Sequence, residues 1–155
     1  MRRLFSLVLL VLTALPTMAQ PPSQPVLYAS PEQVAAATAR SKAAASLSAE
    51  VLVAVPPLRI AVEYRGKPTP ASLHEKNNEL INVIGGSGTL IMGGTLKDEK
   101  RRDASNMTGT GIDGGRSYEL LKGSYVFVPA GMPHYFASVG NDGLVITTIY
   151  IPVGQ

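Results

Sequence analysis

The sequence predicts an all-β sandwich or barrel that is preceded by one helix. Two features of composition favour short strands joined by turns: the chain has 15 glycines and 12 prolines, and strong helix formers are few after residue 50. The third observation is the even spacing of roughly nine apolar or alternating segments, which is typical of small all-β domains. With 155 residues, the chain is long enough for one ordinary domain and too short for two.

The first 19 residues have the pattern of a signal peptide. Arg2 and Arg3 form a positive end, an apolar run follows, and Thr17-Met18-Ala19 has the small-x-small pattern of a cleavage site. The apolar run is about twelve residues long, whereas a spanning helix needs roughly twenty, so an uncleaved anchor is the less favoured alternative. We therefore expect residues 1–19 to be removed and the protein to be exported, either periplasmic or secreted, with no membrane attachment after cleavage.

The mature chain is close to neutral. Removing residues 1–19 leaves 12 basic against 11 acidic side chains and lowers the formal charge from +3 to +1. This balance does not support nucleic acid as a partner. The sequence also has no cysteine, which excludes disulfides and a lipid anchor on cysteine. Stability must therefore come from the core or from a bound metal.

Residues 20–49 are predicted to form a proline-rich leader and an alanine-rich helix. Ser30 is a suitable cap, Pro31 suits the first helical position because no N–H is needed there, and Gln33 completes a capping box. The helix continues to Ala45 with few large apolar residues. We expect it to lie on the surface of the domain or to contact a partner chain.

The strands are predicted within a single domain over residues 50–155. In one of them, residues 58–65, the apolar side chains alternate and mark a half-buried strand. Glycines at 85, 86 and 88 predict a hairpin turn, and residues 95–115 have few apolar anchors and read as a long loop. The predicted strands are 51–55, 58–65, 71–74, 79–84, 89–92, 117–121, 125–128, 134–139 and 144–151.

Two histidines and a glutamate are the candidate metal ligands. The chain has only two histidines: His74 lies five residues before Glu79, and His134 follows a Pro-x-Gly-x-x turn at the start of a predicted strand. Side chains alternate along a strand, so Glu79 shares a face with Ile81, and His134 shares one with Phe136. The three polar groups can therefore meet at one end of an apolar interior.

These residues resemble the two signature motifs of the cupin superfamily over about residues 59–150. The matching patterns are Gly66-x5-Ser72-x-His74-x4-Glu79-x6-Gly86 and Gly123-x5-Pro129-x-Gly131-x2-His134. The resemblance implies a double-stranded β-helix, or jelly-roll, barrel over residues 50–155. It also implies His74, Glu79 and His134 as ligands of a divalent metal. A set of two histidines and one carboxylate suits Fe, Mn or Zn.

The sequence departs from the cupin pattern at two positions. Ser72 occupies the place of a first-motif histidine, and Ser138 stands where the second motif commonly has asparagine. The hydroxyl of Ser72 either lines the cavity or holds a metal-bound water. We assign Ser72, Ile81 and Phe136 as candidate substrate-binding residues, with core packing as the alternative for Phe136. No residue is assigned a catalytic role.

Two classes of function are compatible with these features. The first is an exported small cupin that binds a divalent metal and acts on or holds a small organic molecule; an enzyme of this kind would be an oxygenase, a lyase or an isomerase. The second is a metal-free ligand-binding or assembly module in which the three polar residues form a hydrogen-bonded cluster. A homodimer that exchanges the helix of residues 31–45 is a further expectation.

Overall fold

The computed structural model describes residues 27–44 and 47–154 of the chain. The predicted signal peptide, residues 1–19, lies outside the described residues, as does most of the predicted leader. Within the described ranges, no helix is long and apolar enough to cross a membrane. In chain order the elements are α1 (Pro31–Ala44), β1 (Leu47–Val55), β2 (Leu58–Arg65), β3 (Ala71–His74), β4 (Asn77–Met92), β5 (Thr95–Lys97), β6 (Lys100–Asp103), β7 (Asn106–Gly109), β8 (Gly111–Asp113), β9 (Arg116–Leu121), β10 (Tyr125–Val128) and β11 (His134–Pro152).

The sheet is organised around its two long strands, β4 and β11, which pair along most of their length. The first part of β4 and the second part of β11 lie in the order β1-β2-β11-β4-β10. Their other parts lie in the order β6-β7-β3-β11-β4-β9. Buried side chains from both parts, such as Ile81 and Leu90, belong to one core cluster. The two parts therefore face each other as a β-sandwich.

The predicted hairpin at residues 85–88 is wrong, because β4 runs without interruption from Asn77 to Met92. The break between the predicted strands 134–139 and 144–151 is likewise a bulge inside β11, where Val139 pairs with Gly88 and Leu144 pairs with Gly86. A Cβ atom built on Gly86 would lie 1.9 Å from the carbonyl oxygen of Gly143. Glycine is required because the two backbones approach closely there, and not because the chain reverses.

The long loop predicted over residues 95–115 is also wrong. This segment forms four short strands, β5 to β8, and β7 pairs with β3 over residues 106–109. Only Met107 and two glycines are buried within these strands, so the apolar pattern that would identify them is nearly absent. Backbone pairing with β3 and β6 defines β7, and this pairing places Asn106 opposite His74.

Helix α1 packs on the outer side of the sheet. The capping box forms as predicted, since the Ser30 N–H donates to Gln33 Oε1 at 2.7 Å and the Gln33 N–H donates to Ser30 Oγ at 3.3 Å. Ala37 is 1% exposed and packs with Val62 and Val145. A small residue at this position lets the helix lie close to the strands and cover them.

Candidate metal centre

Three different strands and one turn bring the candidate ligands together. His74 ends β3, Glu79 lies near the start of β4, and His134 begins β11. The turn before His134 is held against both of the other strands: the Gly131 N–H donates to the His74 carbonyl at 2.8 Å, and the Ala130 N–H donates to Asn78 Oδ1 at 2.9 Å. The turn is therefore a fixed support for the site.

The three side chains converge on a small volume. Nε2 of His134 lies 3.1 Å from Glu79 Oε2, and Nε2 of His74 lies 3.7 Å from the same oxygen. One potential ligand atom from each residue lies within 4.8 Å of the others. Donor atoms bound about 2.0–2.2 Å from one ion are roughly 3–4 Å apart. These separations therefore fit a metal site.

Hydrogen bonds hold both imidazoles in one orientation. The Nδ1 atom of His134 lies 3.1 Å from the carbonyl oxygen of Met132, which only accepts hydrogen bonds, so Nδ1 carries the proton. The Nδ1 atom of His74 lies 2.5 Å from Asn106 Oδ1. The amide of Asn106 is itself oriented, since its Nδ2 donates to both carboxylate oxygens of Asp103 at 2.7 and 2.9 Å. Protons on both Nδ1 atoms leave both Nε2 lone pairs free to face Glu79.

The carboxylate of Glu79 is the buried centre of the cluster. The residue is 1% exposed, and among the described residues no hydrogen-bond donor is directed at its Oε2 atom. A buried carboxylate oxygen without a donor is costly. Two imidazole lone pairs and a carboxylate oxygen that face one another require a cation between them, or a proton on one imidazole. The donor set therefore fits a divalent metal.

Electrostatics keeps the Glu79 carboxyl ionised. Burial raises its pKa, but the imidazole of His134, followed by that of His74, each in its protonated form, and by the Arg65 guanidinium, lowers the pKa by more than burial raises it. Tyr150 stands beside the cluster, with its ring edge-on to His74 at a centroid distance of 5.3 Å. Burial, followed by the charge of Glu79, raises the pKa of the Tyr150 phenol. The phenol is therefore a neutral group that is able to donate a hydrogen bond.

The cluster opens into a cavity of about 560 Å³. Ser72 and Phe136, two of the predicted substrate-binding residues, line this cavity together with all three candidate ligands. Ser72 pairs with His134 in the β3–β11 register, so it sits next to the cluster. The structure places the third residue, Ile81, elsewhere: it is fully buried in the core between the sheets. Its side chain points inward as predicted, but core packing separates it from the cavity.

The sequence analysis does not identify three polar residues of the site, namely Asn106, Glu63 and Arg65. The sequence predicts a loop where Asn106 begins β7, and no local pattern in the sequence identifies this residue. Glu63 and Arg65 lie on the polar side of β2, yet both line the cavity, and Tyr150 lines it as well. The alternation in β2 was itself the available signal, since its apolar side, which includes Val62, packs under α1. The polar side is therefore the one that faces the interior.

Comparisons with known proteins were made at the level of sequence and of structure. No protein-family model matches the chain, and no curated protein matches it by sequence. Solved structures do match. BH2720 from Bacillus halodurans is 19% identical with a TM-score of 0.52, over 76% of this chain and 78% of that one.

Two further solved structures show weaker similarity. The DMSP lyase DddQ from Ruegeria pomeroyi is 17% identical with a TM-score of 0.49, over 70% of this chain and 51% of that one. KdgF from Halomonas sp. is 14% identical with a TM-score of 0.49, over 68% of this chain and 80% of that one. At these identities the likeness concerns the fold alone. Together with the two motifs, the likeness to the Bacillus halodurans structure confirms the predicted resemblance: this chain has the cupin fold.

Proposed function

We propose that this protein is an exported small cupin that binds a divalent metal through His74, Glu79 and His134 and acts on, or holds, a small organic molecule in the adjoining cavity. One observation carries the proposal. A buried carboxylate oxygen without a hydrogen-bond donor faces two imidazole nitrogens whose lone pairs are directed at it by the bonds on the far side of each ring. A divalent cation satisfies all three groups at once.

Two nitrogens and one oxygen suit Fe, Mn or Zn. Such an ion supplies Lewis acidity, and three protein ligands leave coordination positions open for water or for an oxygen of the bound molecule. This donor set is compatible with oxygenase, lyase or isomerase chemistry, and equally with a protein that only holds its ligand.

The residues around the cluster determine what is held beside it. Ser72 brings a hydroxyl next to His134, and the neutral phenol of Tyr150 brings a donor next to Glu79. Phe136 adds an apolar wall. A small molecule with at least one oxygen and a short carbon skeleton matches these surroundings, because polar groups orient it while the apolar wall excludes water.

A metal-free binding module is the second candidate, and one distance favours it. The 3.1 Å separation of His134 Nε2 and Glu79 Oε2 equals that of an ordinary hydrogen bond. A protonated His134 would donate across it and neutralise the buried carboxylate. With Ser72 in place of a third histidine, the metal would have only three protein ligands, and a histidine–glutamate pair would then be sufficient.

Melting curves separate these two candidates. Protein purified without a histidine tag should contain about one metal ion per chain, and a chelator should lower its melting temperature by several degrees, because a ligand bound only to the folded state stabilises that state. The His134→Ala variant should contain no metal, and chelator should leave its melting temperature unchanged. Metal-free wild-type protein whose melting temperature does not respond to added Fe, Mn or Zn would refute the metal proposal.

Export and self-association are proposals as well. N-terminal sequencing of protein recovered from outside the cytoplasm should begin near Gln20, and a retained Met1 would contradict cleavage. Light scattering with and without residues 20–48 tests the homodimer, which should become monomeric when the helix is removed.

A further inference from the structure

A second polar group lies in the same cavity, away from the candidate ligands. Glu63 and Arg65 project from the inner side of β2, and both line the cavity. Their side chains are only 9% and 11% exposed, respectively. Charged residues are seldom buried to this degree without a specific partner or a function.

The contacts of this group satisfy Glu63 but not Arg65. One carboxylate oxygen of Glu63 accepts a hydrogen bond from the Thr148 hydroxyl at 2.8 Å, and the other lies 2.6 Å from a terminal nitrogen of Arg65. A guanidinium carries five N–H donors, and in the part of the chain that the structure describes, Nε of Arg65 is buried with no hydrogen-bond partner. Arg65 therefore has a donor that no protein group satisfies, on a side chain that lines the cavity.

Phe136 and Glu63 hold the guanidinium in place. Its central carbon lies 4.4 Å from the centroid of the Phe136 ring, and the ion pair with Glu63 fixes one of its terminal nitrogens. A planar guanidinium stacked on a ring and held from one side is preorganised to receive a carboxylate on another side. Phe136 also follows His134 by two residues on the same side of β11, so Arg65 and the candidate ligands adjoin one space.

The balance of charge favours an anion of low charge. Glu63 neutralises Arg65, and Asp103 pairs with Arg102, the other arginine that lines the cavity, at 3.5 Å. Glu79 neutralises half of a divalent ion, so the net charge around the metal-loaded cavity is about +1. A monovalent carboxylate cancels this charge. A phosphate dianion exceeds it, and the neighbouring Glu63 disfavours the additional negative charge.

We propose that Arg65 is the anion-binding residue of this cavity and that the ligand is a small monocarboxylate, whose carboxylate pairs with the guanidinium while its remaining polar atoms face the His74–Glu79–His134 cluster. The position of those remaining atoms rests on the proposed function, but the pairing with Arg65 does not require a metal. The residue has a positioning role: it binds and orients the ligand.

Thermal protection by lactate tests this proposal. Lactate should raise the melting temperature of wild-type protein, whereas the neutral analogue lactamide should not, and inorganic phosphate should do so less than lactate. The double variant Glu63→Gln/Arg65→Met removes both charges and keeps an acceptor for the Thr148 hydroxyl. Its affinity for lactate, measured by calorimetric titration, should fall at least about tenfold, because a charged hydrogen bond is lost. Arg116→Met, which changes an exposed arginine that does not line the cavity, is the matched control and should bind lactate within about twofold of wild type.

Two further arms keep the result interpretable. If the double variant does not fold, Arg65→Lys, which keeps the charge but loses the planar fork, should still weaken lactate binding several-fold. Metal-free wild-type protein should retain a weaker lactate response, which distinguishes failure of the metal proposal from failure of this one. Equal lactate affinity in wild type and in the Arg65 variants, equal protection by lactamide or phosphate, or no response of the wild type to lactate would each overturn the assignment.

Discussion

Replacing Asn106 by alanine removes the group that orients His74 and should weaken metal binding without unfolding the protein. Asn106 Oδ1 accepts a hydrogen bond from the Nδ1–H of His74, and the Asp103 carboxylate fixes the amide by accepting two hydrogen bonds from Asn106 Nδ2. In Asn106→Ala, the imidazole can rotate, and its proton can move to Nε2, the atom that should bind the metal. Loss of such a supporting residue typically costs about 10- to 100-fold in metal affinity.

The structure favours the lower end of that range. Only one of the three ligands loses its support, because His134 keeps its bond to the Met132 carbonyl. A single hydrogen bond contributes about 0.5–1.5 kcal/mol net, and tenfold in affinity corresponds to about 1.4 kcal/mol. We therefore expect a loss of about tenfold, measured by competition with a chromophoric chelator for Zn and for Mn.

A neighbouring residue provides the control for this experiment. Ser105→Ala changes the same turn but keeps the backbone N–H that donates to Asp103, so its metal affinity should match that of wild type. The reasoning would be refuted if Asn106→Ala bound metal as tightly as Ser105→Ala while both remained folded by circular dichroism.

Two further predictions concern stability. Gly86→Ala should destabilise the protein by well over the roughly 1–2 kcal/mol strain of a left-handed residue, because its Cβ would lie 1.9 Å from the Gly143 carbonyl oxygen. Gly123→Ala should cost only that strain, because the φ of Gly123 is 94° and no atom lies within 4 Å of the added Cβ. Equal losses of stability in urea unfolding would contradict this difference. The pKa of Glu79 is held below 4.5 in the folded protein, so its contribution to stability is complete above pH 4.5 and is lost as the pH falls through the folded-state pKa. Metal-free wild-type protein should therefore lose stability below pH 4.5 more steeply than Glu79→Gln, and parallel curves would count against a depressed pKa.

Local patterns predicted two of the short strands around the site. The strands at 71–74 and 125–128 form with the expected bounds, since each is a short apolar or alternating run between turn residues. Alternation also placed Glu79 on the inner face with Ile81, and the structure brings Glu79 within 4.8 Å of both histidines. Whether this cluster binds metal stays a prediction.

Pairing between distant strands determines the features of the fold and of the site that the sequence does not predict. A glycine-rich stretch has the same sequence pattern whether the chain reverses or two backbones approach closely. The sequence therefore predicts two strands where the structure has the single strand β4, which pairs with β11 on both sides of Gly86. Arg65 and Asn106 enter the site for a comparable reason. Helix α1 covers the apolar side of β2, which leaves Arg65 facing inward, and pairing of β7 with β3 places Asn106 opposite His74. The alternation in β2 distinguishes its two sides but does not show which of them faces the cavity, and no local period identifies Asn106.

The most direct test of the account is a crystal structure of protein purified without a histidine tag, with anomalous scattering recorded at the absorption edges of Mn, Fe and Zn. We expect one anomalous peak between the three side chains, with Nε2 of His74, Nε2 of His134 and a carboxylate oxygen of Glu79 each about 2.0–2.3 Å from it. A hydrogen bond from His134 to Glu79 with no peak between the side chains, in crystals grown with each of these ions, would contradict it.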